Sequence, residues 1–274
     1  MSTPGRLVLL GHPVAHSLSP LFQNALLQRA EIPLTYHALD VEPHALRTVL
    51  SDLVAADGAG NVTVPLKDAV ASHCDWVTPI AARVGAVNTF WSEDGRLFGD
   101  NTDVGGFLAA VRTHAPQLPR GARVVLLGAG GSAAAVLAAC EQLDVERVDI
   151  LARTPERARS LADRFAPFSH VAEDPAALIG SAHLVVNATP VGMGDGRHPV
   201  AVSAIDPSST VIDLTYRRGE TPWVLACRER GLNATDGLTM LVEQGALAFL
   251  RWFPHSLASD EIRRLIWDAV GERR

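Results

Sequence analysis

The sequence predicts an α/β protein of two domains, the first with a mixed sheet and the second with a parallel one. Three observations carry this. Strand-like and helix-like segments alternate from end to end, the pattern of layered α/β structure with largely parallel strands. At 274 residues the chain fits one large domain or two modest ones, because single cores rarely grow past about 250–300 residues. The stretch from Thr113 to Gly121 holds Pro116, Pro119 and Gly121, and such clusters mark a connection between units.

Taken in order, Arg6–Leu10 reads as a strand and Pro20–Ala30 as a helix. The Ile32-Pro33 break precedes a strand, Thr35–Asp40, and His44–Ala56 is a second helix. Gly60–Val64 is a third short strand. Val87–Trp91 and Arg96–Gly99 flank Glu93-Asp94-Gly95, whose Asp-Gly pair is the strongest short hairpin signal in the chain. The expected result is an antiparallel edge on a mixed sheet. From Arg123 the alternation becomes regular: Val124–Leu127, Ser132–Gln142, Arg147–Leu151, Pro155–Phe165, Leu184–Asn187 and Val211–Leu214. Two helices, Leu238–Phe253 and Asp260–Val270, close the chain. Ala166 to Ser181 gives no assignment.

Composition narrows the function. Hydrophobic residues make up 47% and charged residues 20%, a globular balance that excludes a disordered or collagenous chain. The formal net charge of −6 supplies no broad basic field for nucleic acid or an anionic membrane. Any anionic ligand must therefore be held by locally placed donors. Cys74, Cys140 and Cys227 are too few and too far apart for a disulfide framework or a cysteine-based zinc site. Reduced thiols in the cytoplasm, and no metal, are expected. Leu7-Val8-Leu9-Leu10 is too short for a signal-peptide core. Val124 to Cys140 is free of charge but shorter than the ~20 residues a spanning helix needs. Its glycines divide it into a buried strand, a tight loop and a buried helix.

That loop is Gly128-Ala129-Gly130-Gly131-Ser132-Ala133, which fits G-x-G-x-x-A between a hydrophobic strand and an alanine-rich helix. The context matters more than the match, because the same glycines also suit a plain tight turn. Gly128 allows the turn, Gly130 lets backbone approach a pyrophosphate, and Ala133 lets the helix pack close. The helix start adds amide donors and a positive dipole end. The next strand ends in Ala152-Arg153-Thr154, with Arg157 and Arg159 following. Asp149 lies too early in that strand to meet a ribose. With no carboxylate at the tip to repel a 2′-phosphate, the Arg153 fork favours NADP. Asn187-Ala188-Thr189 ends another strand, where ligands of open α/β sheets lie.

Four polar clusters stand at strand ends or helix mouths in the first domain. In Ser17-Leu18-Ser19-Pro20, Ser19 reads as a helix N-cap, which leaves Ser17 as a carboxylate-sized donor. His12 and His16 are read as turn structure. Strand alternation in Asn61-Val62-Thr63-Val64-Pro65-Leu66-Lys67 puts Asn61 and Thr63 on one face and Val62 with Val64 on the other. Gly85-Ala86-Val87-Asn88-Thr89 and Gly99-Asp100-Asn101-Thr102-Asp103 complete the set, with Asp103 also able to serve as a helix N-cap.

In this order, and with Asp236-Gly237-Leu238, Met240-Leu241-Val242 and Gln244 downstream, the motifs resemble those of shikimate dehydrogenases from about Leu9 to about Phe249. The resemblance implies NADP-dependent interconversion of 3-dehydroshikimate and shikimate in aromatic amino-acid biosynthesis. It implies a mixed-sheet substrate domain over 1–103, to which helices in 238–274 return, and a Rossmann-like NADP domain over 104–237, with a cleft between them. Lys67 and Asp103 are the implied catalytic pair. Ser17, Ser19 and Tyr216 are implied for the substrate carboxylate, and Asn61, Thr63, Asn88 and Gln244 for the ring hydroxyls or the cleft ends. The implied cofactor residues are Gly128, Ala129, Gly130, Gly131, Ser132, Ala133, Arg153, Thr154, Arg157, Asn187, Ala188, Thr189, Leu214 and Gly237. The expected partner is the small-molecule substrate, the expected assembly a homodimer, and neither nucleic acid nor membrane is expected.

Three positions depart from the family's pattern: Ala134 stands in place of an arginine, Ala152 of an asparagine and Thr239 of a glycine. Paralogues acting on quinate or an aminoshikimate would share nearly every motif. A regulatory module that had lost catalysis would be expected to shed the lysine–aspartate pair, which is present. The Arg153 argument predicts a higher kcat/KM with NADP⁺ than with NAD⁺. Equal or better turnover with NAD⁺ in a steady-state assay counts against it.

Overall fold

The computed structural model describes residues 3–172, 175–217 and 219–271. The chain divides into two compact units, one holding the chain up to Gly105 and again from Val242, the other Gly106–Leu241.

In the first unit a six-stranded sheet is built from β1 (Arg6–Gly11), β2 (Tyr36–Asp40), β3 (Gly58–Val62), β4 (Trp76–Val77), β5 (Thr89–Glu93) and β6 (Arg96–Asp100), in the order β2-β1-β3-β5-β6-β4. β1 pairs parallel with β2 and β3, β5 runs antiparallel to both β3 and β6, and β4 lies parallel to β6. The antiparallel strand is thus internal, which corrects the expected antiparallel edge. The edge is Trp76-Val77, too short to show a period of two in sequence. The hairpin itself forms where Asp94-Gly95 places it: both residues are left-handed, φ 52° and 71°, as a type I′ turn requires.

β3 also ends earlier than the alternation suggests. Pro65 has no N–H to extend a ladder, and Leu66 N turns back to Thr63 O at 2.9 Å. Val64 still accepts from His12 N at 3.0 Å, but its side chain is 65% exposed, whereas Val62 is buried. Around this sheet lie α1 (Ser19–Arg29), α2 (Leu46–Ala55), α3 (Lys67–His73) and α4 (Pro79–Val84). Val8, Leu10, Leu50, Leu53, Val62 and Phe90 meet in its core. The last two helices are too short for a 3.6-residue period to declare itself.

α5 (Asp103–His114) leads into the second unit, the division falling between Gly105 and Gly106. There β7 (Arg123–Leu127), α6 (Gly131–Gln142), β8 (Arg147–Leu151), α7 (Pro155–Arg164), β9 (Ser169–Val171), α8 (Pro175–Ile179), β10 (Leu184–Asn187), β11 (Thr210–Asp213), α9 (Pro222–Glu229) and β12 (Asn233–Thr235) follow in sequence. The sheet order is β12-β11-β10-β7-β8-β9, with every neighbouring pair parallel. Strand order reverses between β7 and β10, the switch point at which open α/β sheets bind ligands. Helix α6 is buried continuously from Ala133 to Cys140, so its small side chains let it lie close on the sheet. α10 (Leu238–Trp252) and α11 (Ser259–Gly271) end the chain, and α11 packs on α1 in the first unit.

No helix of the described residues is long and apolar enough to cross a membrane. The three cysteines are free. Burial pushes the Cys140 thiol up to about 12, far from the range of a reactive thiolate.

One buried carboxylate organises the carboxyl end of this second sheet. Asp213 accepts from Asn187 Nδ2 at 2.8 Å, Thr215 N at 3.1 Å, Thr215 Oγ1 at 2.9 Å and Thr221 Oγ1 at 2.8 Å. Its removal leaves these buried donors without their acceptor, so Asp213→Ala is expected to cost about 2–4 kcal/mol in chemical denaturation. A loss below about 0.5 kcal/mol, the range of a plain surface substitution, would contradict this account. Burial raises the Asp213 carboxyl above its ordinary value, with the hydrogen bonds from Thr221, Thr215 and Asn187 opposing. A raised folded-state pKa contributes stability below the ordinary carboxylate value that is lost as pH climbs through the raised one. The stability gap between the native chain and Asp213→Ala should therefore be larger in acid than at neutral pH.

Candidate active site

In the first unit, the end of β3, the start of α3 and the exit of β6 bring together residues far apart in sequence. Lys67 opens α3 and Asp103 opens α5; Nζ donates to Oδ2 at 2.6 Å. The side chains are only 11% and 6% exposed. Such a pair persists because each charge compensates the other's loss of water. The second Asp103 oxygen accepts from Asn88 Nδ2 at 2.8 Å. That amide nitrogen also lies 3.0 Å from Thr102 Oγ1 and 3.4 Å from Gln244 Oε1. Its two hydrogens are thus spread over three acceptors, and the contact with Gln244 is the longest. Asn88 Oδ1 in turn accepts from Thr102 N at 2.7 Å, which fixes the amide orientation.

Behind Asn88 stands Asn61, 5% exposed. It donates to Asn88 O at 3.1 Å and Thr89 Oγ1 at 3.0 Å, and accepts from Tyr36 OH at 2.8 Å. Both donor contacts of its amide lie within the protein, which ties it to Asn88 from within the sheet, and its Oδ1 keeps a second lone pair for a further donor. Tyr36 escaped the sequence reading, since a tyrosine opening a strand reads simply as core. Its burial raises the phenol well above its ordinary value and keeps it a donor. Asp100 was named in its cluster without a role. It accepts from Thr78 Oγ1 at 2.5 Å and Asn101 N at 2.8 Å and pairs with Arg251, whose guanidinium lies 5.5 Å from the Trp91 ring centroid. The Asn101–Asp103 turn is thereby anchored at its root.

Ser17 and Ser19 lie beyond β1. The expected cap is exchanged between them: Ser17 Oγ accepts from Ser19 N at 3.2 Å, and no side chain caps α1 at Leu18. The reason is positional, because the helix begins at Ser19 itself. Thr63 is half-buried just past β3.

In the second unit Gly128 sits at φ +116°, a conformation that side-chain-bearing residues avoid, and donates to Leu151 O at 2.7 Å. Gly130 precedes α6, no side chain caps it there, and a Cβ placed on it would meet nothing within 4 Å. Open space over an uncapped helix start fits a pyrophosphate bound by backbone donors. Ala129, Gly131, Ser132 and Ala133 continue this turn into the helix, Ala133 wholly buried. Arg153, Thr154 and Arg157 are exposed at the exit of β8. Arg147 holds Asp149 through Nε at 2.9 and 3.0 Å and Nη2 at 2.8 Å, so this carboxylate is engaged within its own strand.

Asn187 is buried and donates to Asp213 Oδ1 and, at 3.2 Å, to Val191 O; its own Oδ1 accepts from Thr189 N at 3.0 Å. Its amide thus shapes the turn through Ala188 and Thr189. Leu214 and Gly237 meet backbone to backbone. Tyr216 is half-buried in the same unit. Among the described residues no group of three or more His, Cys, Asp or Glu side chains is placed to hold a metal.

Residues 9–90 match the family model described as the shikimate dehydrogenase substrate binding domain. A protein named shikimate dehydrogenase (NADP(+)) from Thermus thermophilus is 41% identical over 90% of this chain and 92% of its own. Among solved structures, a shikimate 5-dehydrogenase from Thermus thermophilus, in complex with NADP(H) and shikimate, superposes with a TM-score of 0.84. It is 38% identical, over 96% of this chain and 99% of that one. Quinate dehydrogenase from Corynebacterium glutamicum, in complex with NAD, gives a TM-score of 0.85 at 28% identity, over 97% and 99% of the two chains. With the lysine–aspartate–asparagine cluster, the glycine turn and a 41% identical relative matched over nine-tenths of its length, this chain belongs to the shikimate dehydrogenase family.

Proposed function

We propose that this protein reversibly reduces 3-dehydroshikimate to shikimate with NADPH, as a cytoplasmic enzyme of aromatic amino-acid biosynthesis. The observation that carries the reading is the buried Lys67–Asp103 pair with Asn88 on the second carboxylate oxygen. It stands in a chain that matches shikimate dehydrogenases along its length. The first unit serves as the substrate-binding and catalytic domain, the second as the NADP-binding domain.

Bound at the α6 turn, the nicotinamide cofactor supplies a hydride to the ring ketone or takes it back from the alcohol. The chain's work is at the oxygen. Charge builds there as the hydride arrives, and the Lys67 ammonium stabilises it and delivers the proton. In the reverse direction Lys67 takes that proton back. Asp103 holds the ammonium and accepts from a substrate hydroxyl, and Asn88 keeps the carboxylate turned toward both. Gln244 makes the longest of the Asn88 contacts, the one a ring hydroxyl displaces at least cost. Thr63 takes another hydroxyl, Asn61 positions Asn88, and Ser17 and Ser19 bind the carboxylate with help from Tyr216.

On the cofactor, the backbone from Gly128 to Ala133 takes the pyrophosphate, and Arg153, Thr154 and Arg157 take the 2′-phosphate. Asn187, Ala188, Thr189, Leu214 and Gly237 line the remainder. A second reading, quinate oxidation, is favoured by the likeness to quinate dehydrogenase.

Cofactor reduction followed by absorbance, with shikimate and quinate offered in parallel, separates the two. The higher kcat/KM is expected with shikimate; turnover confined to quinate would transfer the chemistry to that substrate. Lys67→Ala is expected to lower kcat by ~10²–10⁴-fold, the usual range for an acid–base group, with a smaller effect on KM. An unchanged kcat would remove Lys67 from the mechanism.

A further inference from the structure

The segment from Asn233 to Thr239 carries Gly237, and both of its ends are fastened to one residue, His114. The carbonyl oxygen of His114, at the end of α5, accepts from Asn233 Nδ2 at 2.6 Å. Its ring Nε2 lies 2.8 Å from Thr239 Oγ1. Thr239 is 9% exposed and Asp236 2%, so the polar groups of this segment depend on partners within the protein.

Between the two ties the backbone is held tightly. Asp236 Oδ1 accepts from Leu238 N at 3.1 Å, and Gly237 N donates to Thr215 O at 3.0 Å. A Cβ on Gly237 would run into the Leu214 carbonyl. The turn therefore has one position, pressed against the exit of β11 on one side and tethered to His114 on the other. Burial pushes the His114 imidazole below its ordinary value, with Asp236 opposing and Arg228 assisting. The ring accordingly favours its neutral form, and either neutral tautomer bonds a hydroxyl.

We propose that His114 is a positioning residue for cofactor binding: through Thr239 it holds the Gly237 turn in register with Leu214, where the nicotinamide nucleotide is seated. The proposal rests on the reading of Leu214 and Gly237 as cofactor residues. His114 touches neither substrate nor reacting atoms in this account. Its loss weakens binding of cofactor in ground and transition states alike, which raises KM and leaves kcat.

The test uses the full chain and its His114→Ala, His114→Gln and Thr239→Val variants, assayed with NADP⁺ and shikimate after their melting temperatures are compared. His114→Ala and Thr239→Val should each raise KM for NADP⁺ by about tenfold, the equivalent of one hydrogen bond of roughly 1.4 kcal/mol. KM for shikimate and kcat should stay within about twofold. His114→Gln, which restores an uncharged partner of similar reach, should recover most of the lost affinity. An unchanged KM for NADP⁺ in Thr239→Val overturns the proposal. That near-isosteric variant keeps the test decisive if His114→Ala fails to fold. A Gln variant as impaired as the Ala variant also overturns it, since the hydrogen bond would then not be the cause. Absence of NADP⁺ turnover in the unsubstituted chain would instead overturn the underlying cofactor reading.

Discussion

The Asp103 carboxylate is the constraint on which the catalytic unit depends. One oxygen holds Lys67 and the other holds Asn88, so neither neighbour can turn away without breaking a charge-assisted bond. The cost of losing it is large by any of the relevant scales. An ammonium left at 11% side-chain exposure without its partner is the situation that costs about 3–5 kcal/mol in proteins. The pair is therefore a poor choice for stability alone, because apolar side chains of similar volume would fill the space with no desolvation penalty. In the proposed mechanism its value lies in keeping the Lys67 ammonium fixed and dry at one point. Asp100, Thr102 and Arg251 extend that logic outward, since each restrains the short turn from which Asp103 emerges.

The second unit solves a different problem with backbone rather than side chains. A chain of net charge −6 that is proposed to hold a polyanionic cofactor needs local donors for it. The parallel sheet aims its carboxyl ends at one edge, and α6 starts at the switch point with open space over Gly130. Burial of the whole Ala133–Cys140 run anchors that helix start, so the donors are in place before any ligand arrives. Preorganisation of this kind removes an ordering cost from binding.

Much of this was legible in the sequence, and the failures have physical reasons. The glycine turn, the Asp-Gly hairpin and the long strand–helix alternation announce themselves because each depends on local geometry alone. The bounds of β3 did not, because the chain turns from Thr63 to Leu66 while the apolar alternation runs on to Val64. The two-residue strand Trp76-Val77 carries no period, and with it the position of the antiparallel strand was lost. In the candidate site, Lys67, Asp103 and Asn88 were singled out through motifs and Asp100 was named in one without a role, whereas Tyr36 and Arg251 were not singled out. The Tyr36–Asn61 and Arg251–Asp100 contacts span 25 and 151 positions of chain, and no local spacing records such a contact. Asn61 shows the intermediate case: its motif was readable, but its bonds to Tyr36, Asn88 and Thr89 were not.

The departures at Ala134 and Ala152 place a heavier demand on the groups that remain. Alanine at 134 is 3% exposed on the buried run of α6 and offers no side-chain donor, so phosphate binding there falls to backbone. Arg159 pairs with Glu156 at 3.8 Å and carries little net charge outward. Among the described residues neither Arg153 nor Arg157 pairs with a carboxylate, and both are exposed. In the proposed assignment, discrimination between the two nicotinamide cofactors concentrates on this pair of solvated guanidinium groups, whose attraction for a 2′-phosphate is screened over about 8–10 Å at ordinary ionic strength. Screening bears less on the Gly128–Ala133 turn, mostly buried or partly buried apart from Gly130, than on the exposed arginines. In the proposed assignment, binding of the shared dinucleotide core rests on the turn and preference for the phosphorylated form on the arginines: two separable properties built from two kinds of donor.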